Sequence, residues 1–154
     1  MICVFCKSRD HRSIINLGHQ PLSCKFPKKK SEKIPNFSLN LVKCNKCELY
    51  QLKNLVNPSL MYGEEYGYYS SISPLMKNHL RKKYIENKKF LKSNSNILDI
   101  GSNDGTLLNY FSKIRYQCYG IDPNINLFSH NYHPKIMKFP NLFTEKIIKN
   151  QNLK

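Results

Sequence analysis

Apolar and polar residues alternate with one period in the first third of this chain and with another further on. At 37–44, "FSLNLVKC" places Phe37, Leu39 and Leu41 on one face, the period-two pattern of a half-buried strand. At 13–23, "SIINLGHQPLS" predicts a short apolar strand ended by Gly18. Pro27, a run of three lysines and Pro35 mark a solvated loop between the two. The period then becomes helical. Ser73-Pro74 supplies a hydroxyl cap and a proline at the first helical position, where a missing N–H costs nothing. Met76, Leu80, Tyr84 and Leu91 form the apolar stripe of a helix reaching about Leu91, with Lys77, Arg81, Lys82, Lys88 and Lys89 on its wet face.

Beyond that helix, strand and helix patterns interleave. Asn96–Ile100 predicts a buried strand, with Ile97, Leu98 and Ile100 apolar and Asp99 at the penultimate place. Gly101–Gly105 is a turn, and Thr106–Ile114 a helix with Leu107, Leu108, Phe111 and Ile114 facing inward. A second strand, Gln117–Ile121, ends in Asp122-Pro123. "NYHPKIMKFPNLF" can supply a third near Lys135 to Lys138, and "TEKIIKNQNLK" only a frayed, lysine-rich tail. The expected divisions are 1–60, 61–95 and 96–154.

Charge changes this picture little. The formal net charge is +15, from 25 Lys+Arg against 10 Asp+Glu, which raises nucleic acid as a partner. The excess is nearly all lysine, with four arginines (Arg9, Arg12, Arg81, Arg115), and asparagine is equally overused. Such a pairing follows from coding bias, and apart from "KFPKKKSEK" and "RKKYIENKK" the charge is spread along the chain. No apolar run reaches membrane-spanning length, and "MICVFCKSRD" lacks a basic n-region followed by an apolar h-region. The expectation is a cytoplasmic protein without a membrane partner.

The cysteines change the picture more. Cys3-Val-Phe-Cys6 and Cys44-Asn-Lys-Cys47 are two C-x2-C knuckles separated by 37 residues. Each can present two thiolates on one side of a tight loop, and two loops complete a tetrahedron around Zn2+. Four thiolates close the coordination shell to water and substrate, so this zinc is expected to be structural. Cys24 and Cys118 are expected to be buried small apolar residues, and His11 and His19 surface or packing residues.

At 61–79, "MYGEEYGYYSSISPLMKNH" holds Tyr62, Tyr66, Tyr68 and Tyr69. These rings suit either a packed loop, buried against the zinc module with its hydroxyls wet, or the lining of a polar, sugar-sized cleft.

The order strand, glycine turn, helix, strand, acid continues the chemistry. Asp122 lies 21 residues beyond Gly101, at the tip of the neighbouring strand in a βαβ unit, where a carboxylate can take both ribose hydroxyls of a nucleoside. The turn is G-x-x-x-G, so the dinucleotide fingerprint G-x-G-x-x-G is not met. An acid inside the first strand and two spaced glycines suit S-adenosylmethionine (SAM), which has no pyrophosphate to cradle. A Rossmann-like unit with no such ligand stays open on these residues alone.

Taken together, the CVFC and CNKC knuckles, "LGHQPLS", "CELYQL", "EEYGYYSSIS", "ILDIGSNDGTLL" and "YGIDP" make the chain resemble the amino-terminal part of the sugar C-methyltransferases acting on nucleotide-linked deoxysugars. The resemblance implies SAM-dependent methylation at C3 of a nucleotide-linked 4-keto-deoxysugar. It implies substrate contact or proton handling for Tyr66 and Tyr68, with Tyr68 first. It implies SAM contacts for Gly101, Ser102, Asn103, Gly105 and Asp122, with Asp99 supporting the turn. The implied fold is α/β: a small zinc-binding module followed by the first part of a Rossmann-like methyltransferase sheet.

Members of this family continue for a few hundred residues, and an acid and histidine pair beyond the SAM half supplies the implied base. This chain ends 32 residues after Asp122. The expectation is a truncated or split form that binds zinc, has little or no activity alone, and could need a second polypeptide to finish its sheet. The alternative is a zinc-ribbon nucleic-acid-binding protein, which explains the cysteines and lysines but leaves GSNDG and Asp122 without a role.

Overall fold

A computed structural model describes residues 1–23, 25–62 and 66–150, except for the side chains of Ile148 and Asn150. Cys24, expected to be a buried thiol, lies outside the described residues. The chain divides into two compact units, Met1–Met61 and Tyr62–Lys154.

The first unit is a three-stranded antiparallel sheet, β1 (His11–Pro21), β2 (Asn36–Cys44) and β3 (Tyr50–Leu52), in the order β1-β2-β3. Gly18 does not end β1. It takes φ +69° inside a bulge, its N–H donating to Asn16 Oδ1, and the strand rejoins β2 beyond it. The inward face of β2 also differs from the sequence expectation. Asn40, Val42 and Cys44 are buried, while Phe37, Leu39 and Leu41 are half-buried on the opposite face. Side chains alternate strictly along a strand, so the face carrying the inward cysteine is the inward face.

The second unit begins with the tyrosine segment, a 3-10 turn at Ser70–Ile72 and helix α1 (Pro74–Lys88). Ser73 Oγ accepts from Met76 N–H, and Pro74 occupies the first turn, as the cap pattern requires. The helix stops three residues short of Leu91. Strand β4 (Asn96–Ile100), helix α2 (Thr106–Phe111), strand β5 (Gln117–Ile121), helix α3 (Ile125–Phe128), strand β6 (Met137–Phe139) and helix α4 (Glu145–Asn150) follow. The strands pair in parallel in the order β4-β5-β6. The carboxy-terminal stretch expected to be a frayed tail forms α4 through residue 150.

The core of this unit gathers Leu108, Phe111, Cys118, Ile125, Tyr132 and Ile136, with Tyr84, Leu91 and Ile97 packed against them. Tyr84 meets Phe111 edge-on, with ring centroids 5.0 Å apart. Three expected core residues are not buried. Ile114 falls beyond the end of α2 and is exposed. Leu98 and Ile100 are 39% and 53% exposed, because β4 is an edge strand and only its Ile97/Asp99 face meets the core. Among the described residues no strand pairs with the outer edge of β4.

Candidate functional site

The two knuckles fold alike. In each, the first cysteine's C=O accepts from the residue after the second cysteine, Lys7 or Glu48, and that residue takes a left-handed conformation (φ 60° and 63°). This turn aims both sulfurs and nearby N–H groups at one point. Cys3 Sγ lies 3.6 Å from Cys47 Sγ, Cys6 Sγ lies 3.6 Å from Cys44 Sγ, and all four sulfurs lie within 4.8 Å of one another. A tetrahedron with Zn–S bonds of about 2.3 Å has edges of about 3.8 Å, so the set fits Zn2+. The N–H of Cys6 first among several causes draws the Cys3 thiol down to about 6. Cys44 is also lowered, chiefly by the N–H of Cys47. At Cys47 the Leu49 N–H pulls down but is outweighed by burial and three neighbouring sulfurs, which push the thiol up to about 12. Four thiolates this close repel one another, and a bound dication relieves that repulsion.

The second site is a cleft of about 430 Å3 at the carboxyl ends of β4 and β5, where open parallel sheets bind ligands. Its shape starts from the turn. Gly101 (φ +77°), Asn103 (φ +50°) and Gly105 (φ +75°) are all left-handed, folding the backbone back so that the Gly101 and Ser102 N–H groups meet Ile121 C=O. A side chain added at Gly101 would touch nothing and would project into open space. Asp122 Oδ2 accepts from Asn103 N–H at 3.1 Å and Oδ1 from Asn124 N–H at 2.7 Å. Each oxygen keeps a lone pair free, and Asp122 lines the cleft. Gly101, Asn103, Asp122, Tyr66 and Tyr68 therefore share one cavity.

Ser102, Gly105 and Asp99 do not line it. Ser102 Oγ shares a hydrogen bond of 2.8 Å with Tyr132 OH, which also donates to Asn103 C=O at 2.8 Å. The Tyr132 ring lies where a side chain on Gly105 or Gly120 would stand, 2.8 Å and 3.2 Å from the built Cβ positions. The two glycines admit this ring, and the ring props the turn from behind. Asp99 faces another cavity, beside Leu91, Ile97 and Leu107, and forms no hydrogen bond with the turn. The support expected of it comes from Asp122, Tyr132 and Asp104.

Burial, and then the nearby Asp122 carboxylate, push Asp99 up to about 6. The folded value is raised, so the native chain keeps this proton longer than the unfolded chain. Stability is fully present below about pH 4 and falls as pH rises through about 6. Asp99→Asn is expected to exceed the wild type by about 2 kcal/mol at pH 7.5 and to equal it at pH 4. Urea unfolding followed by circular dichroism checks this, and a difference independent of pH refutes it.

Sequence reasoning missed how the tyrosine segment is held. Ser70 N–H donates to Asn103 Oδ1 at 2.8 Å, Asn103 Nδ2 donates to Tyr68 C=O at 3.2 Å, and Ser71 N–H donates to Asp104 Oδ2 at 2.8 Å. Burial would raise the Asp104 carboxyl, but hydrogen bonds from Thr106 and Ser71 outweigh it and hold it below its ordinary value. Two side chains of the turn thus carry residues 68–71 and set Tyr68 over the cleft. Asn103 spends its amide on this tether. Tyr62 and Ser70 also line the cleft, as do Asn141, Leu142 and Phe143 after β6. Asn141, Leu142 and Phe143 have no motif that marks them in sequence. Gly63, Glu64 and Glu65 lie outside the described residues.

Compared with known proteins, residues 3–62 match a zinc binding domain family and residues 76–152 match the methyltransferase domain family. The C-methyltransferase NovU of Streptomyces niveus is 26% identical over 129 residues, which cover 81% of this chain. The match covers 30% of that relative, so the chain spans about a third of its length or less. No helix among the described residues is long and apolar enough to cross a membrane. The methyltransferase domain implies SAM as cofactor, and the four-cysteine cluster implies a structural zinc. Half of its residues match a methyltransferase domain behind a closed thiolate cluster, and on that ground the chain belongs to the methyltransferase domain family.

Proposed function

We propose that the cleft binds SAM, and that the chain is the zinc and cofactor portion of an enzyme methylating C3 of a nucleotide-linked 4-keto-deoxysugar. One observation carries this: an open glycine turn, the Asp122 carboxylate and the tyrosines at 62, 66 and 68 line the same cavity of about 430 Å3. NovU, a C-methyltransferase, supports transfer to carbon; the sugar-nucleotide class rests on the resemblance carried by "LGHQPLS", "EEYGYYSSIS" and "ILDIGSNDGTLL".

In this reading Asp122 accepts hydrogen bonds from the ribose hydroxyls, and Gly101 leaves room for the ligand to reach the backbone. Bound SAM supplies a methyl group activated by a sulfonium. A 4-keto group acidifies the C3–H bond, and loss of that proton places negative charge on the carbonyl oxygen. On this reading Tyr68, whose backbone C=O accepts from Asn103 Nδ2, hydrogen-bonds that oxygen or passes the proton, and Tyr66 orients the sugar. Holding both reactants in attack geometry is the main contribution to rate.

We further propose that methyl transfer needs additional polypeptide on the outer edge of β4, with which no strand pairs among the described residues. Calorimetric titration of the zinc-loaded chain is expected to give saturable, one-to-one binding of SAM. Tyr68→Phe should leave that affinity within about twofold, because a phenol that acts on substrate contributes little to cofactor binding. It should weaken the saturation-transfer NMR signal of a thymidine-diphosphate 4-keto-6-deoxysugar. No heat with SAM would remove the cofactor reading. Unchanged sugar-nucleotide binding would remove Tyr68 from the substrate site.

A further inference from the structure

The zinc unit has a second cavity, of about 230 Å3, that neither the metal nor the methyltransferase cleft uses. Arg9, His11, Ser13, Asn40 and Lys53 supply its polar lining, and Met1 and Val42 its apolar walls. Among the described residues no carboxylate lines it. Asp10, next in sequence to Arg9, turns away and accepts from Asn45 Nδ2 at 2.7 Å.

Its donors are unspent. Asn40 is 8% exposed; its Oδ1 accepts from Ser13 at 2.9 Å, while its Nδ2 has no partner among the described residues. His11 Nε2 is buried and also without a partner there. Neither Arg9 nor Lys53 has a carboxylate partner among the described residues. Of these groups His11 Nε2 is the buried one, and a buried polar atom without a partner costs about 1–3 kcal/mol, while Arg9 and Lys53 bring exposed cationic heads to the mouth, so a ligand that only accepts completes the set. Two cations, a carboxamide N–H and an imidazole nitrogen suit a compact dianion. The cavity is smaller than the pockets of about 300–1,000 Å3 that hold drug-sized ligands.

We propose that this cavity is a phosphoryl-anion site, in which Arg9 and Lys53 neutralise a phosphate group while Asn40 Nδ2 and His11 Nε2 donate to its oxygens. A phosphoryl group carries about −1.5 to −2 charge at neutral pH, which matches the two cations. The phosphate can be free or the terminal group of a small metabolite. The site is independent of SAM, since every residue in it belongs to the zinc unit.

The test is a titration of the zinc-loaded chain with inorganic phosphate at constant ionic strength, followed by the NMR shift of the Asn40 side-chain amide. Saturable one-to-one binding is expected. Arg9→Gln and, separately, Lys53→Gln should each weaken it at least about tenfold with zinc content unchanged. The double variant Lys29→Gln/Lys30→Gln removes as much charge or more from residues outside the cavity and should stay within about twofold. Lys53→Gln, remote in sequence from the knuckles, decides the matter if Arg9→Gln loses zinc. A tighter response to methyl phosphate than to inorganic phosphate identifies a metabolite phosphomonoester; the reverse order identifies free phosphate. Three results would overturn the proposal: a shift that does not saturate, acetate acting as well as phosphate, or the Lys29/Lys30 variant weakening binding as much as Lys53→Gln. Tight oligonucleotide binding with steep salt dependence that outcompetes phosphate would also overturn it, in favour of a nucleic-acid surface.

Discussion

Chelation of the metal, or Cys44→Ser, is expected to unfold residues 1–61. The reason is the small amount of apolar surface this unit buries. Outside the cysteines, its buried apolar residues among those described are Leu22 and Val42, while Ile14, Ile15 and Leu17 on β1 stand exposed. A unit of this size seldom stabilises itself without a staple. Structural zinc bound by such ligands contributes about 10–16 kcal/mol near neutral pH, more than the unit's packing can replace. Metal analysis should find one zinc per chain in the wild type and none after Cys44→Ser. NMR should show the dispersed amides of β1–β3 collapsing in step with zinc loss. Retention of those amides in the zinc-free chain would show that the sheet stands without the ion.

Asp122→Ala is expected to lower SAM affinity by at least about a hundredfold. Two hydrogen bonds to a charged acceptor are removed, each contributing about 1.5–3 kcal/mol. The loss has a second part, because the carboxylate also accepts from Asn103 N–H and Asn124 N–H, and truncation leaves both without an acceptor. Asp122→Asn separates the parts. It keeps one acceptor for the backbone, turns an NH2 toward the other N–H and loses the charge, so it should lose less thermal stability than Asp122→Ala and still bind SAM at least about tenfold more weakly. Calorimetric titration and thermal unfolding together decide. Equal SAM affinity in all three proteins would rule out Asp122 as the ribose ligand.

Much of the fold was legible because its signals are local. The knuckles, the Ser73-Pro74 cap, the glycine turn and strand β5 each depend on neighbours a few residues away. The misjudged positions share one cause, that burial is set by what packs across an element. Leu98 and Ile100 look like core residues, yet they lie on the face of an edge strand turned from the core. Phe37, Leu39 and Leu41 alternate as well as Asn40, Val42 and Cys44, and only the metal ligand settles which row faces in.

The candidate cleft divides in the same way. Gly101, Asn103, Asp122, Tyr66 and Tyr68 carry visible residue chemistry, and they line one cavity. Ser102 and Gly105 belong to the same motif but serve it from behind, against Tyr132. Nothing in "SHNYHPK" marks Tyr132 as the support of a turn nearly thirty residues earlier.

By itself the sequence determined the two longer strands of the first unit, α1 and the strand, turn, helix, strand run from 96 to 121, the four thiolates and the spacing from Gly101 to Asp122, all properties of short-range geometry and residue chemistry. The tertiary structure alone decided which strand faces are buried, that Gly105 and Gly120 are small to admit the Tyr132 ring, and that Asn103 and Asp104 tether residues 68–71. Those outcomes depend on contacts between residues about 12 to 35 positions apart, whose partners are chosen by packing and hydrogen-bond satisfaction across the whole unit.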